Sequence, residues 1–128
     1  MIPKFRVWMK SLKWMCDVTN ISLDSKFVDI CQQGDTERYT EMSVEFDEIT
    51  LMQSTGLFDR NGKEIFEGDI VKMSKDVYSE PTYYEVVRHY GGAYRLESKQ
   101  HGCELWLRHT DCEVVGNIYA NPELLEEK

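Results

Sequence analysis

The sequence contains no long apolar run, and its amino-terminal residues MIPKFRVWMKSLKWMCDV interrupt every apolar stretch with lysine or arginine. We therefore expect neither a secretory signal nor a membrane-spanning helix, and we predict a cytoplasmic protein. Its four cysteines form no CxxC pair, which favours reduced thiols over disulfides or a paired metal knuckle. P-loop, Rossmann glycine and EF-hand patterns are also absent, which leaves no motif for a nucleotide or calcium site.

Basic residues are few, since 15 lysines and arginines stand against 23 aspartates and glutamates, giving a net charge of −8. Lys4, Arg6, Lys10 and Lys13 precede the first acidic residue, Asp17, and the remaining chain carries 11 basic and 23 acidic residues, or −12. An acidic body repels phosphate backbones, so broad nucleic-acid binding is not expected. The basic amino-terminal segment is interpreted as a lysine-guarded strand edge, that is, an exposed edge strand whose lysines prevent pairing with other chains. A binding patch is the alternative.

Helical periodicity is scarce, and alternating apolar and polar residues predict a mainly β protein. The alternation covers residues 5–9, and segment 14–18 can pair back on it as a first hairpin. The sequence DSK at residues 24–26 is typical of a tight turn and predicts a second hairpin. Strand-like patterns return at 43–46 and 49–53. Residues 1–54 are therefore predicted to form a small antiparallel β-sheet.

The segment TGLFDRNGKEIFEGDIVK, residues 55–72, contains two glycine-centred turns. In the first, Asp59 can accept backbone hydrogen bonds, while Asn61 and Gly62 tolerate the positive φ of hairpin turns. The second bend is centred on Gly68 and Asp69 and leads into a β-branched strand.

Further strand-like segments follow, at residues 69–74, 83–90, 93–97, 104–108 and 113–119. Five short strands in so short a stretch predict a small closed barrel of the SH3-like type over residues 55–128. The residues assigned to structural turns are Gly56, Asp59, Asn61, Gly62, Gly68, Asp69, Gly91 and Gly92.

A short helix is predicted at the carboxyl end of the sequence. Asn121 is a suitable N-cap, Pro122 fits the first helical position, and Glu123 favours the positive end of the helix dipole. A helix this short requires packing, so Leu124 and Leu125 are expected to be at least partly buried.

Three sequence blocks, MIPKFRVW, LMQSTGLFDRNGKEIFEGDIV and EVVGNIYANPELLE, resemble in the same order the conserved blocks of the YopX-like proteins of bacteriophages and prophages. This family has no established biochemical role. The resemblance implies an amino-terminal β-rich part followed by an SH3-like barrel, in a protein encoded by a phage or prophage. It implies no catalytic residue, ligand-binding residue or cofactor.

One set of residues has the chemistry of a metal site, namely His101, Cys103, His109 and Cys112. Their spacing allows a tetrahedral zinc site. The order His-Cys-His-Cys lacks a paired CxxC knuckle, however, and the barrel interior can be filled by apolar residues without a metal. These apolar residues are Leu105, Leu107, Val114 and Ile118. We therefore predict no metal and no cofactor.

Two further polar groups invite a catalytic interpretation. His109, Thr110 and Asp111 are consecutive and are predicted to form only a turn. Four carboxylates near the hairpin end could meet for acid and base chemistry, but Asp59 and Asp69 already have turn-forming roles. The four are Asp59, Glu64, Glu67 and Asp69. No enzymatic activity is predicted.

Aromatic side chains are concentrated in the predicted barrel, whose interior has room for only part of them. Exposed tyrosine and tryptophan bind protein partners at low entropic cost, so a partner surface is predicted, with coverage of the barrel as the alternative. The set is Tyr78, Tyr83, Tyr84, Tyr90, Tyr94 and Trp106.

The sequence thus favours a non-enzymatic interaction protein with an unidentified protein partner, which includes a homo-oligomer formed when the basic start of one copy contacts the acidic body of another. The alternative is a nucleic-acid-associated small-barrel protein, since such barrels bind single strands with aromatic faces and basic rims.

Overall fold

The computed structural model describes residues 4–74, 78–89, 92–99 and 102–126. The chain divides into two compact units, Met1–Gln53 and Ser54–Lys128.

The first unit is an antiparallel sheet in which neighbouring strands are mostly joined by tight turns. Its strands are β1 (Phe5–Met9), β2 (Trp14–Ser22), β3 (Phe27–Gln32), β4 (Met42–Glu45) and the first part of β5 (Ile49–Phe58), with a 3₁₀ turn at Phe46–Glu48. The strand order is β4-β3-β2-β1-β5. Both predicted hairpins are confirmed, and the core side chains come from alternate strand positions. The buried core contains Val7, Met9, Cys16, Val28, Ile30, Val44 and Ile49.

The basic start is not a strand edge, because β1 lies between β2 and β5. Arg6 stands opposite Asp17 on one side and Met52 on the other, and only 5% of its surface is exposed. The lysine-guarded edge predicted from the sequence is therefore wrong. β1 is also paired with a strand 40 to 48 residues further along the chain, and the local pattern of charges gives no sign of that pairing.

The second unit contains the carboxyl-terminal part of β5 and six further strands. These are β6 (Glu64–Phe66), β7 (Asp69–Met73), β8 (Thr82–Arg88), β9 (Tyr94–Glu97), β10 (Gly102–Glu104) and β11 (Glu113–Asn117). β6 pairs with β5, and the other five form an antiparallel sheet in the order β10-β9-β8-β7-β11. Its buried core contains Ile65, Val71, Met73, Tyr84, Val86, Leu96, Leu105 and Cys112.

This five-stranded sheet is open, because β10 and β11 are its two edges and no pairing joins them within the described residues. A mainly β architecture with antiparallel sheets is confirmed, whereas the closed SH3-like barrel is not. The predicted strand at 104–108 is wrong. The chain turns after β10 into a single-turn helix, α1 (Leu105–Arg108), followed by a 3₁₀ turn at His109–Asp111. The ladder at this edge therefore ends at Glu104.

The short carboxyl-terminal helix is confirmed as a 3₁₀ turn at Pro122–Leu125, with Leu124 and Leu125 half-buried as predicted. Asn121 occupies the N-cap position as predicted, but its side chain forms no cap hydrogen bond. Its Oδ1 instead accepts the backbone N–H of Asn117 at 3.2 Å, and so ties the turn back to the end of β11.

Candidate functional site

The turn at Asp59 joins the β5–β6 hairpin to β11. One carboxylate oxygen of Asp59 accepts the backbone N–H groups of Asn61 at 2.8 Å and Lys63 at 2.9 Å. The other accepts the N–H of Val114 at 2.9 Å. Gly62 has φ +82° in this turn, a conformation that L side chains rarely adopt. The structure therefore places Asp59, Asn61 and Gly62 in a turn, and Asp59 also binds a strand far along the chain.

The pKa of Asp59 reflects two opposing effects. Burial raises the pKa of this carboxyl group, whose residue is only 5% exposed. Hydrogen bonds from Val114, Lys63 and Asn61 lower it, and the net pKa lies below the ordinary value. Asp59 is thus an ionised structural anchor, and not a proton donor at neutral pH.

The second bend has its own buried carboxylate, because Asp69 accepts the N–H of Phe66 at 2.8 Å. Gly68 donates its N–H to the carbonyl of Val86 at 2.9 Å, with φ +87°. The other acidic residues of the hairpin form separate contacts. Glu64 accepts a hydrogen bond from Ser54, and Glu67 lies 3.7 Å from the Arg88 guanidinium. The four carboxylates therefore do not form a common acid and base site among the described residues.

Two more predicted turn positions lie elsewhere in the second unit. Gly56 has φ +76° within β5, where the register with β6 shifts. Gly92 has φ +85° and donates its N–H to the carbonyl of His89 at 3.0 Å, closing the β8–β9 loop. Gly91 lies outside the described residues. These positions shape the backbone and carry no side chain that could act on a ligand.

Two of the four residues considered for a metal site, Cys112 and His109, form other contacts. Cys112 is fully buried, and its Sγ donates to the carbonyl of Arg108 at 3.2 Å. Burial, more than any nearby charge, raises its pKa to about 12, so the thiol is neutral. His109 donates from Nδ1 to the carbonyl of Phe58 at 2.7 Å. His101 lies outside the described residues, and Cys103 is half-buried on β10.

Among residues 4–74, 78–89, 92–99 and 102–126, the group whose ligand atoms lie close enough to hold an ion is the exposed trio Glu45, Asp47 and Glu48. Glu48 already accepts the backbone N–H of Glu45 at 2.8 Å. Asp111, from the consecutive polar trio at 109–111, pairs with the Arg108 guanidinium at 3.0 Å. Neither group places a nucleophile beside a base.

The predicted aromatic surface divides into buried and exposed members. Tyr84 is only 4% exposed and belongs to the core, so its assignment to a surface is wrong. It faces inward because adjacent residues on β8 alternate between the two faces of the sheet. Tyr94 is half-buried against the core, and Tyr83 is exposed at the surface of β8. Tyr78 is 95% exposed, and Tyr90 lies outside the described residues.

Helix α1 carries two neighbouring large apolar side chains that are more than half exposed. Leu105 is fully buried in the core, whereas Trp106 is 63% exposed and Leu107 is 57% exposed. Placing Leu107 in the interior is therefore wrong. In a strand, Leu105 and Leu107 would share a face, but in a helix consecutive residues point in different directions. The apolar pattern of the sequence alone does not distinguish a strand from a helical turn at these residues.

The geometry of α1 is held by bonds at its carboxyl end. The Arg108 guanidinium donates to the carbonyl of Ser74 at 3.3 Å and pairs with Asp111. The carbonyl of Phe58, a third exposed apolar residue, receives the hydrogen bond from His109 directly after the helix. We call Phe58, Trp106 and Leu107 the α1 patch. Its backbone is fixed by these contacts, while its side chains face solvent.

No helix among the described residues is long and apolar enough to cross a membrane.

The comparisons with known proteins agree on a family. The family model for the YopX protein matches residues 4–126. The crystal structure of protein EF1440 from Enterococcus faecalis is similar over 98% of this chain and 99% of that one, with 33% identity and a TM-score of 0.64. The crystal structure of protein yopX from Bacillus subtilis is similar over 96% and 98% of the two chains, with 23% identity and a TM-score of 0.61. No curated protein matches this chain.

Proposed function

Since the chain belongs to the YopX family, we propose that it is a phage or prophage accessory protein that acts in the host cytoplasm as a non-enzymatic protein-interaction module. The observation that carries this proposal is the α1 patch, in which a tryptophan and a leucine stay exposed on a helical turn anchored in the core.

The patch has the physical properties of a binding hot spot. Trp106 offers a large apolar surface with a single polar N–H, and tryptophan is one of the residue types enriched among energetically dominant interface positions. Leu105 anchors the same turn in the core. Because the backbone is already ordered, a partner gains the burial of these side chains with little additional loss of conformational entropy.

Nucleic-acid binding has less support. Arg108 directly follows the patch in α1, and its guanidinium is already bound by Asp111 at 3.0 Å and by the Ser74 carbonyl. The net charge of −8 also opposes contact with a phosphate backbone.

Homo-oligomerisation remains part of the proposal, in a narrower form. Arg6 is buried, whereas Lys10 and Lys13 are exposed in the β1–β2 turn. A second copy would therefore contact this turn. Light scattering of the wild type and of the double variant Lys10→Ala/Lys13→Ala, at low and at high salt, tests this model of the oligomer. A molecular mass that changes with neither the substitutions nor the salt concentration contradicts it.

The experiment for the main proposal is affinity purification of the tagged protein from infected cells, read by mass spectrometry. Trp106→Ser is the test variant, and Leu23→Ser is the matched control, because Leu23 is also a large apolar residue exposed at the surface, in the β2–β3 turn. We expect one or more proteins to be retained by the wild type and by the control and lost from Trp106→Ser. Recovery of no protein, or equal recovery with both variants, contradicts the proposal.

A further inference from the structure

A second surface feature of the second unit is an open groove with a volume of about 820 Å³. Its walls come from residues 80–85 on and before β8, residues 97–99 at the end of β9, and residues 124–126 of the carboxyl-terminal 3₁₀ turn. The groove thus follows the outer face of the sheet, and it is separate from the α1 patch in its lining residues.

The charge of the groove is strongly negative. Glu80, Glu85, Glu97 and Glu126 line it, and Lys99 is the basic residue in the lining. The groove therefore concentrates negative potential along one path, and such a path attracts a cationic ligand and repels an anionic one.

Two of these glutamates face each other across the sheet. Glu85 on β8 stands directly opposite Glu97 on β9, an arrangement in which like charges repel. Glu97 is held by the Arg95 guanidinium at 3.0 Å. The Glu85 side chain is half-buried, its carboxylate forms no hydrogen bond or ion pair with any described residue, and burial raises the pKa of this carboxyl group. A half-buried carboxylate without a partner is destabilising, and a cation placed beside it would relieve that cost.

The remaining lining is apolar. Leu124 and Leu125 are half-buried, and Pro81 and Tyr83 are exposed beside them. Carboxylates next to apolar side chains suit a ligand that alternates basic and apolar groups, as an extended peptide does on its two faces.

From this geometry we propose that the groove binds an extended, cationic segment of a protein partner, in which arginine or lysine contacts Glu85 and Glu97 and an apolar side chain contacts Leu124 and Leu125. This inference rests on the proposed function as an interaction module, and it adds the chemistry of the partner and a second contact surface. An anionic peptide or a nucleic acid does not meet these requirements.

The test uses the full chain and a fluorescein-labelled peptide of about eight residues alternating arginine and leucine, which spans about 25 Å when extended. Fluorescence anisotropy measures its affinity for the wild type, Glu85→Gln and Leu125→Ser. Glu123→Gln is the matched control, because it also removes one negative charge and lies next to Leu124 in the 3₁₀ turn, but it does not line the groove. Peptides with glutamate in place of arginine, or serine in place of leucine, test the two halves of the ligand chemistry.

We expect the arginine–leucine peptide to bind the wild type and the control within about twofold of each other, and Glu85→Gln to weaken binding about fivefold or more. Both altered peptides should bind more weakly than the original. Equal affinities for Glu85→Gln and Glu123→Gln would show only attraction to the net negative charge and would overturn the proposal. Preferential binding of single-stranded DNA, or concentration-dependent self-association that is lost in Leu125→Ser, would also overturn it.

Failure of the groove proposal can be distinguished from failure of the proposed function. Glu85→Gln removes a half-buried charge and preserves the shape of the side chain, so it is expected to remain folded even if Leu125→Ser does not. If affinity purification retains a Trp106-dependent partner while the peptide shows no dependence on Glu85, the groove proposal is wrong and the interaction function stands. If no partner is retained at all, the proposed function fails first.

Discussion

Replacing Asp59 with asparagine tests how strongly the turn at residues 59–63 stabilises the second unit. The carboxylate accepts three backbone N–H groups, and the one from Val114 crosses to β11. In the asparagine variant one carboxylate oxygen becomes an NH₂ group, so one of these N–H donors faces another donor. Losing a charge-assisted hydrogen bond and leaving a buried donor unsatisfied lowers the free energy of unfolding by about 2–3 kcal/mol.

The assay is urea unfolding followed by circular dichroism and fluorescence, with Asp24→Asn as the control. Asp24 lies exposed in the β2–β3 turn, so its replacement should change the free energy of unfolding by less than about 0.5 kcal/mol. At slopes of about 1–3 kcal/mol per molar urea, the Asp59→Asn midpoint should fall by roughly 1–2 M.

Acidification provides an independent check on the same carboxylate. Because the pKa of Asp59 is lowered in the folded protein, its contribution to stability is complete above the ordinary aspartate pKa of about 3.9 and is lost as the pH falls through the lower folded-state value. The difference between wild type and Asp59→Asn should therefore narrow in acid. A difference that is absent at pH 7, or that stays constant into strong acid, would refute this reasoning.

The remaining predictions concern α1, the thiols and the hairpin turn. Leu105→Ala should lower the free energy of unfolding by about 2–5 kcal/mol and Leu107→Ala by less than about 0.5 kcal/mol in denaturant unfolding, and equal effects would contradict the helical turn. Burial above all raises the pKa values of Cys16 and Cys112 to about 11 and about 12, so a thiol reagent at mildly alkaline pH should modify them only after unfolding. Rapid modification of both in the native protein would contradict their placement. Gly62→Ala should cost about 1–2 kcal/mol in thermal or urea unfolding because φ there is +82°, and an unchanged stability would contradict that backbone conformation.

The parts of the fold that were predictable from sequence are those set by local chemistry. Alternation over residues 5–9 predicts β1, and the composition of the turn at residues 24–26 predicts the hairpin that follows. Asp59 and Gly62 predict their turn, because aspartate accepts nearby N–H groups and glycine accepts positive φ. These signals are contained within a few consecutive residues.

The parts that were not predictable depend on distant partners. Residues 104–108 match a strand pattern, and a four-residue helix is too short to be stable alone. It forms because Leu105 enters the core and Arg108 reaches the Ser74 carbonyl, 34 residues away in sequence. Arg6 likewise has a surface-like residue type but lies in a central strand, because β5 pairs alongside β1.

The same reasoning applies to the candidate sites. The tyrosines and tryptophan were recognisable as a set, but their division into core and surface required the register of β8 and the helical turn of α1. The groove was not predictable, because its walls join two adjacent strands to the carboxyl-terminal turn. Glu85 and Glu97 face each other because of the β8–β9 register, and the number of residues between the two strands does not fix that register.

The most direct test of the central claim is site-specific photo-crosslinking in infected cells, with a photoreactive phenylalanine derivative in place of Trp106 and, in a separate protein, in place of Leu23. If the α1 patch is the partner-binding surface, position 106 should form a covalent adduct with a protein that affinity purification also retains, and position 23 should not. Adducts formed at position 23 alone, or a retained partner that crosslinks to neither position, would contradict the account.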